Sequence, residues 1–173
     1  MKLDLDDLSD IVIPEFFNIA VACIDDHVKT GHYKASSHDS ANVAIIVDEE
    51  DKDVQQLSYG ELTKQSNQAA NSFQSLGCQQ GDRVMLCLPN CMEFPIAFFG
   101  ALKLGCIAVP SSTLLSGDEL DYLAKDSGAN ILITTPTDWA KLEKLASPSN
   151  NIKSIILVSD KHHMGAENVQ PVI

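Results

Sequence analysis

The chain has 173 residues, 45% hydrophobic and 21% charged, an ordinary globular composition that suits one domain, or one and a part, and excludes a disordered tail. Twelve basic residues against 24 acidic ones give a net charge of −12, which excludes a nucleic-acid binder built to track phosphates. No apolar run approaches the roughly 20 residues needed to span a bilayer.

The charge is lopsided, with 13 acids and 4 bases in residues 1–53. The opening Met1-Lys2-Leu3-Asp4-Leu5-Asp6-Asp7 is acidic where a signal peptide is basic and then apolar, so residues 1–13 read as a frayed lead-in. Pro14 is expected to open a helix, since a first turn does not need its missing N–H. Phe16/Phe17, Ala20, Cys23/Ile24 and His27/Val28 recur at helical steps, and Gly31 offers a stop. Tyr33 to Ala41 is polar and reads as a loop. Asn42 to Val47 predicts a strand, with Val54 to Leu57 returning antiparallel to it. Between them Asp48-Glu49-Glu50-Asp51-Lys52-Asp53 reads as a solvated turn. As a metal site it lacks the alternating ligands and central glycine of a calcium loop.

From Ser58 the pattern becomes regular. Ser58 and Glu61 stand at capping-box spacing, and Leu62, Ser66, Ala69, Phe73 and Leu76 share one helical face that Gly77 ends. Gly81-Asp82 turns into the apolar strand Arg83 to Leu88, closed by Pro89-Asn90. A helix from about Met92 runs through Ile96, Phe99 and Leu102 to Gly105, followed by the strand Cys106 to Pro110. Ser116 and Glu119 repeat the capping box, opening a helix with Leu120, Leu123 and Ala124 on one side and Gly128 at its end. Ile131 to Thr134 and Ser154 to Val158 are further strands, with a fourth helix marked by Trp139, Leu142 and Leu145. Helices alternating with uniformly apolar strands predict an α/β fold. The expected core is a mostly parallel, doubly wound sheet flanked by helices, preceded by a helix and a small β-hairpin. The expected divisions are 1–57 (lead-in, helix and hairpin), 58–160 (α/β repeat) and 161–173 (tail).

Chemistry-bearing patterns are sparse. Cys23, Cys78, Cys87, Cys91 and Cys106 are odd in number and lack a C-x-x-C pair, so they read as buried, reduced thiols of a cytoplasmic protein. Gly100-x4-Gly105 has the glycine spacing of a phosphate-binding loop, but Cys106-Ile107 stands where Lys and Ser/Thr belong. Ser111-Ser112-Thr113-Leu114-Leu115-Ser116-Gly117 could meet an anion after its strand; without a nearby cation it reads as a turn and helix cap. No Ser sits in a G-x-S-x-G elbow. His27, His32, His38, His162 and His163 read as surface histidines, the adjacent His162-His163 lacking a third metal ligand nearby. Asp118 with Asp121 would make an acid/base pair, though acids opening a helix need no such role. No catalytic, cofactor-binding or metal-binding residue is assigned.

A family resemblance rests on other residues. Leu57-Ser58-Tyr59-Gly60-Glu61-Leu62, Asn67-Gln68-Ala69-Ala70, Leu76-Gly77, Gly81-Asp82-Arg83-Val84 and Leu88-Pro89-Asn90 resemble the adenylate-forming acyl-CoA synthetase superfamily. So do Glu93-Phe94, Ala97-Phe98-Phe99-Gly100, Lys103-Leu104-Gly105, Val109-Pro110, Glu119-Leu120 and the run Asp126 to Thr134. The likeness covers about residues 14–160. Phe17-Asn18-Ile19-Ala20 with Asp25-Asp26-His27 is similar to the short- and medium-chain synthetases, and Val109 to Leu115 to benzoate-type ligases. Pro95 departs from the family's usual aliphatic and is tolerated if it falls in the first helical turn.

The resemblance implies the N-terminal part of an ATP- and magnesium-dependent ligase that forms an acyl-adenylate and passes the acyl group to coenzyme A. The family's phosphate loop, magnesium-binding Glu, ribose-binding Asp and late Lys match no position here, so the chain alone is expected to lack cofactors and activity. The competing reading is a stand-alone interaction module built on the same scaffold. Either reading leaves part of the sheet uncovered, and self-association through it is expected.

Overall fold

The structure, a computed structural model, describes residues 14–29, 43–48, 53–138, 151–158 and 169–171. The expected acidic turn around 49–52, the polar loop at 33–41, the helix marked by Trp139, Leu142 and Leu145, and His32, His38, His162 and His163 lie outside them. A π-helical turn over Val21–Asp25 runs into α1 (Asp26–Lys29). β1 (Val43–Val47) and β2 (Gln55–Ser58) pair antiparallel as expected. Then follow α2 (Tyr59–Ser75), β3 (Arg83–Cys87), α3 (Glu93–Lys103), β4 (Ile107–Pro110), α4 (Gly117–Ser127), β5 (Ile131–Thr134), β6 (Ser154–Leu157) and β7 (Val169–Pro171).

The main sheet has the order β4-β3-β5-β6-β7. Its first four strands are parallel, with Leu86 opposite Pro110 and Cys87 opposite Thr134. Strand alternation divides the core in two. Val84, Leu86, Ile131, Ile133 and Ile156 face the layer of α2 and α3, while Met85, Cys87, Leu132 and Ile155 face Leu120 and Ala124 of α4. Helices therefore cover both faces, which is the doubly wound arrangement that continuous apolar strands require.

Local chemistry sets the helix ends. Ser58 accepts a hydrogen bond from the Glu61 amide, and the Glu61 carboxylate accepts one from the Ser58 amide. Ser116 and Glu119 do the same. The Ser58 hydroxyl and amide both donate to the Glu61 carboxylate, and the Ser116 amide and hydroxyl to that of Glu119, which holds both carboxyls below the usual range. Ser58→Ala strands the Glu61 amide and is expected to cost about 0.5–2 kcal/mol in urea unfolding; an unchanged midpoint would show that the box contributes nothing. Pro95 is the third residue of α3, inside the first turn, where its ring displaces no intrahelical bond.

α2, α3 and α4 end in one way. Gly77, Gly105 and Gly128 have positive φ, and the next residue's amide reaches back five residues: Cys78 to Phe73, Cys106 to Ala101 and Ala129 to Ala124. These are Schellman ends. Arg83 then ties β3 to the end of α4, donating to the carbonyls of Ser127, Gly128 and Gly81.

Several expectations need correction. The first helix opens at Asn18, not Pro14: the Asn18 side-chain oxygen accepts from the Ala20 and Val21 amides, while its amide donates to the Leu102 carbonyl at the end of α3. This tether across the fold outweighs proline's local preference. Phe16 and Phe17, expected on the helix's apolar face, precede the cap and are exposed. Among the cysteines, Cys78, Cys87 and Cys106 are buried, Cys91 is half-buried and Cys23 is exposed. His27 is half-buried, its ring 4.9 Å from that of Tyr59. β4 is less covered than a uniformly apolar strand predicts, because it lies at the sheet edge with Ile107 exposed; Pro110 suits such an edge. β7, within residues 161–173, pairs antiparallel with β6.

Candidate functional site

A parallel sheet presents its ligands outside the carboxyl ends of its strands, at the point where strand order reverses. Here β4 lies on one side of β3 and β5 on the other, so that point falls between the ends of β3 and β5. Leu88-Pro89-Asn90-Cys91 leaves β3 there, and Thr134-Thr135 leaves β5. The Thr134 hydroxyl is fully buried and has no hydrogen-bond partner among the described residues. Thr135 Oγ1 donates to the Asp138 carboxylate at 2.9 Å and accepts from the Asp138 amide, a local cap.

Beside this crevice runs the hydroxyl-rich turn after β4. Several of its polar groups are engaged within the fold. The Ser111 amide donates to the Leu86 carbonyl at 2.8 Å, Ser112 Oγ accepts from the Leu114 amide, and Ser116 caps α4. Leu114 projects into solvent, 94% exposed. The geometry is that of a turn and cap, as expected. Gly100 and Gly105 likewise serve packing and helix ending: Gly100 lies inside α3 against α2, and Gly105 is the left-handed end of α3.

The best-anchored cations lie at the other end of the sheet. Arg83 opens β3 and clamps carbonyl groups, as described. Lys103 closes α3, with its ammonium 2.6 Å from Asp25 Oδ1, 2.8 Å from Asn67 Oδ1 and 3.2 Å from the Thr63 carbonyl. Lys125, in the last turn of α4, pairs with Asp121 at 2.6 Å. That pairing occupies Asp121, while Asp118 lines a shallow groove beside α4 with Leu115, Glu119, Tyr122 and Leu123. Among the described residues, no three His, Cys, Asp or Glu side chains converge to hold a metal. No helix among them is long and apolar enough to cross a membrane. The donors described at the strand ends are hydroxyls and backbone amides without a fixed cation. That set does not fit a magnesium triphosphate, which needs converging cationic donors and a metal carboxylate.

Sequence reasoning missed three features of the structure. Arg83 and Lys103 act through carbonyls and side chains far along the chain. Cys78 Sγ and Cys106 Sγ lie 3.3 Å apart. For the thiols a signal does exist, since Leu76-Gly77-Cys78 is repeated as Leu104-Gly105-Cys106.

Comparison with known proteins identifies the scaffold. A family profile described as AMP-binding enzyme matches residues 33–171. The chain belongs to the AMP-binding enzyme family. Over 113 residues, 63% of its length, this AMP-binding family member is 40% identical to the crotonobetaine/carnitine–CoA ligase of Salmonella paratyphi A. It spans 22% of that relative's length. A fatty acyl CoA synthetase of Mycobacterium tuberculosis superposes with a TM-score of 0.57 at 30% identity, covering 60% of this chain and 21% of that one. A benzoate CoA ligase from Burkholderia xenovorans LB400 superposes with a TM-score of 0.63 at 21% identity, covering 84% and 26%, a likeness of fold. The acyl-CoA synthetase resemblance and the α/β architecture expected from the sequence are both supported.

Proposed function

We propose that this chain is the opening, scaffold-building part of an ATP-dependent acid–CoA ligase, one that activates a carboxylic acid as its adenylate and transfers it to coenzyme A. The observation carrying this reading is the family match over residues 33–171 by a chain spanning 22% of its curated relative. The chain's own contribution is structural. β3, β5 and the loops after them form a floor for a site whose cationic and metal-binding groups come from elsewhere in a longer protein. Residues 58–160 are the α/β repeat of that floor, with 1–57 leading into it and β7 closing its far edge. A reducing cytoplasm suits the free thiols. The reading frame beyond Ile173 tests the proposal: a glycine- and threonine-rich phosphate loop downstream supports it. A stop codon there would overturn it in favour of a stand-alone interaction module.

A second expectation concerns the chain by itself. Mg-ATP calorimetry is expected to register no micromolar binding, because triphosphate affinity depends on several charged donors engaging together. Light scattering on the same sample is expected to report self-association through the exposed edge of β4. Micromolar binding by a clean monomer would overturn both expectations and place a nucleotide site among these residues.

A further inference from the structure

The repeated Leu-Gly-Cys sequence places two thiols in register. In each copy the glycine takes a positive φ, +85° at Gly77 and +77° at Gly105, and the cysteine amide bonds back to the helix. Each cysteine backbone is therefore fixed by a Schellman end. The two ends are joined to each other, since the Gly81 amide donates to the Gly105 carbonyl at 2.9 Å and the Ile107 amide to the Asp82 carbonyl at 2.8 Å. Cys78 and Cys106 are 5% and 4% exposed, with their sulfurs 3.3 Å apart. A contact this short, held by two rigid turns, needs little backbone movement to become a bond. The covering layer is thin: Gly77, Gln79, Gln80 and Gly81 are all exposed, and the Gln80 side chain lies over Gly105.

We propose that Cys78 and Cys106 form a dithiol site that a low-molecular-weight disulfide, such as oxidised glutathione, converts to an intrachain disulfide. Brief opening of the 77–81 turn exposes Cys78 first. Its thiol releases a proton to solvent, and the thiolate attacks one sulfur of oxidised glutathione. The glutathione S–S bond breaks, and one glutathione thiolate leaves and takes up a proton. Cys106 then loses its proton and attacks the Cys78 sulfur of the mixed disulfide, expelling the second glutathione. Two protein thiols are oxidised, one glutathione disulfide is reduced to two thiols, and protons balance. Burial pushes the Cys78 thiol up and holds Cys106 at about 12. Exchange is accordingly slow at neutral pH, and its rate rises about tenfold per pH unit while the thiolate is the minor species. The product ties the end of α2 to the start of β4, stabilising chiefly by restricting the unfolded chain.

The experiment uses the 173-residue chain, and a Cys23→Ser version that removes the exposed thiol. Each is incubated with oxidised glutathione under native conditions, alkylated and mapped by mass spectrometry. Titratable thiols are expected to fall from four to two in Cys23→Ser, and from five to two in the original chain, where the exposed Cys23 also takes up glutathione. The expected map shows a single Cys78–Cys106 linkage, and the expected melting temperature is raised and returns to its starting value with dithiothreitol. In Cys106→Ala, Cys78 is expected to retain a glutathione adduct. Alkylated Cys78 and Cys106 without a link, a stable adduct on Cys78 of the original chain, or linkage only in denaturant would each overturn the proposal. The map of the original chain decides the matter even if Cys106→Ala fails to fold.

Discussion

Lys103→Met is expected to destabilise the fold by about 3–5 kcal/mol, the range found when one partner of a buried ion pair is removed. Lys103 and Asp25 side chains are 7% and 15% exposed, so solvent screens the pair little. An ammonium has three donors, and here Asp25, Thr63 and Asn67 take all of them. The interaction joins α3 to α2 and to the π-helical turn, and it places a cation at the carbonyl end of α3, where the helix dipole favours one. Methionine keeps the apolar stem and removes only the charged head. Asp25 is then left with a poorly solvated negative charge, which is the source of the cost. Lys103→Met combined with Asp25→Leu is expected to recover most of the loss, because a matched apolar pair carries no desolvation penalty. Urea unfolding of the single and double variants measures the coupling. A Lys103→Met loss below about 1 kcal/mol would place the pair with solvent-screened surface bridges.

Lys103 also marks where sequence reasoning stopped. The capping boxes at Ser58 and Ser116, the glycine ends of α2, α3 and α4, and strands β3, β5 and β6 were legible because each is specified within a few residues. The partners of Lys103 are not: Asp25 is 78 positions away and Asn67 is 36 away. Nothing local distinguishes this lysine from one on a solvated face. Asn18 misled the same way, because proline's preference at position 14 is visible in sequence and a side chain reaching Leu102 is not. Strand order was equally hidden. Apolar runs predict a parallel sheet, but they do not say that β4 lies at an edge with Ile107 exposed. The candidate crevice between β3 and β5 follows from that order, so its position could not be read beforehand. The thiol pair is intermediate. The Leu-Gly-Cys repeat was printed in the chain, and only the pairing of the two helix ends was missing.

Gly100 supplies the other large expected effect, and its argument is steric. The buried residues of α2 include Ser66, Ala69 and Ala70, those of α3 include Ala97, Gly100 and Ala101, and Gly100 lies directly against Ser66, Ala69 and Ala70. Small side chains bring the axes close, and a Cβ added at Gly100 would lie 2.7 Å from the Ala69 Cβ, 3.1 Å from the Ser66 carbonyl oxygen and 3.2 Å from the Ala70 amide. None of these belongs to a flexible side-chain tip that can swing away, so the helices must separate. Glycine in a helix interior gives up about 1 kcal/mol to alanine in intrinsic propensity, and Gly100→Ala sets that gain against overpacking of about 1–3 kcal/mol. The net expectation is a modest loss. Gly100→Val adds two further carbons and loses the propensity gain, and its expected cost is about 3 kcal/mol. Gly60→Ala is the control: it is also a helical glycine, in the first turn of α2, but its added Cβ meets nothing within 4 Å, so neutrality or slight stabilisation is expected. Ala69→Gly in the Gly100→Ala background removes the shortest contact, so the pair should cost less than the sum of the two single changes. Equal stability of Gly100→Ala and Gly60→Ala would mean that α2 and α3 pack more loosely than these distances require.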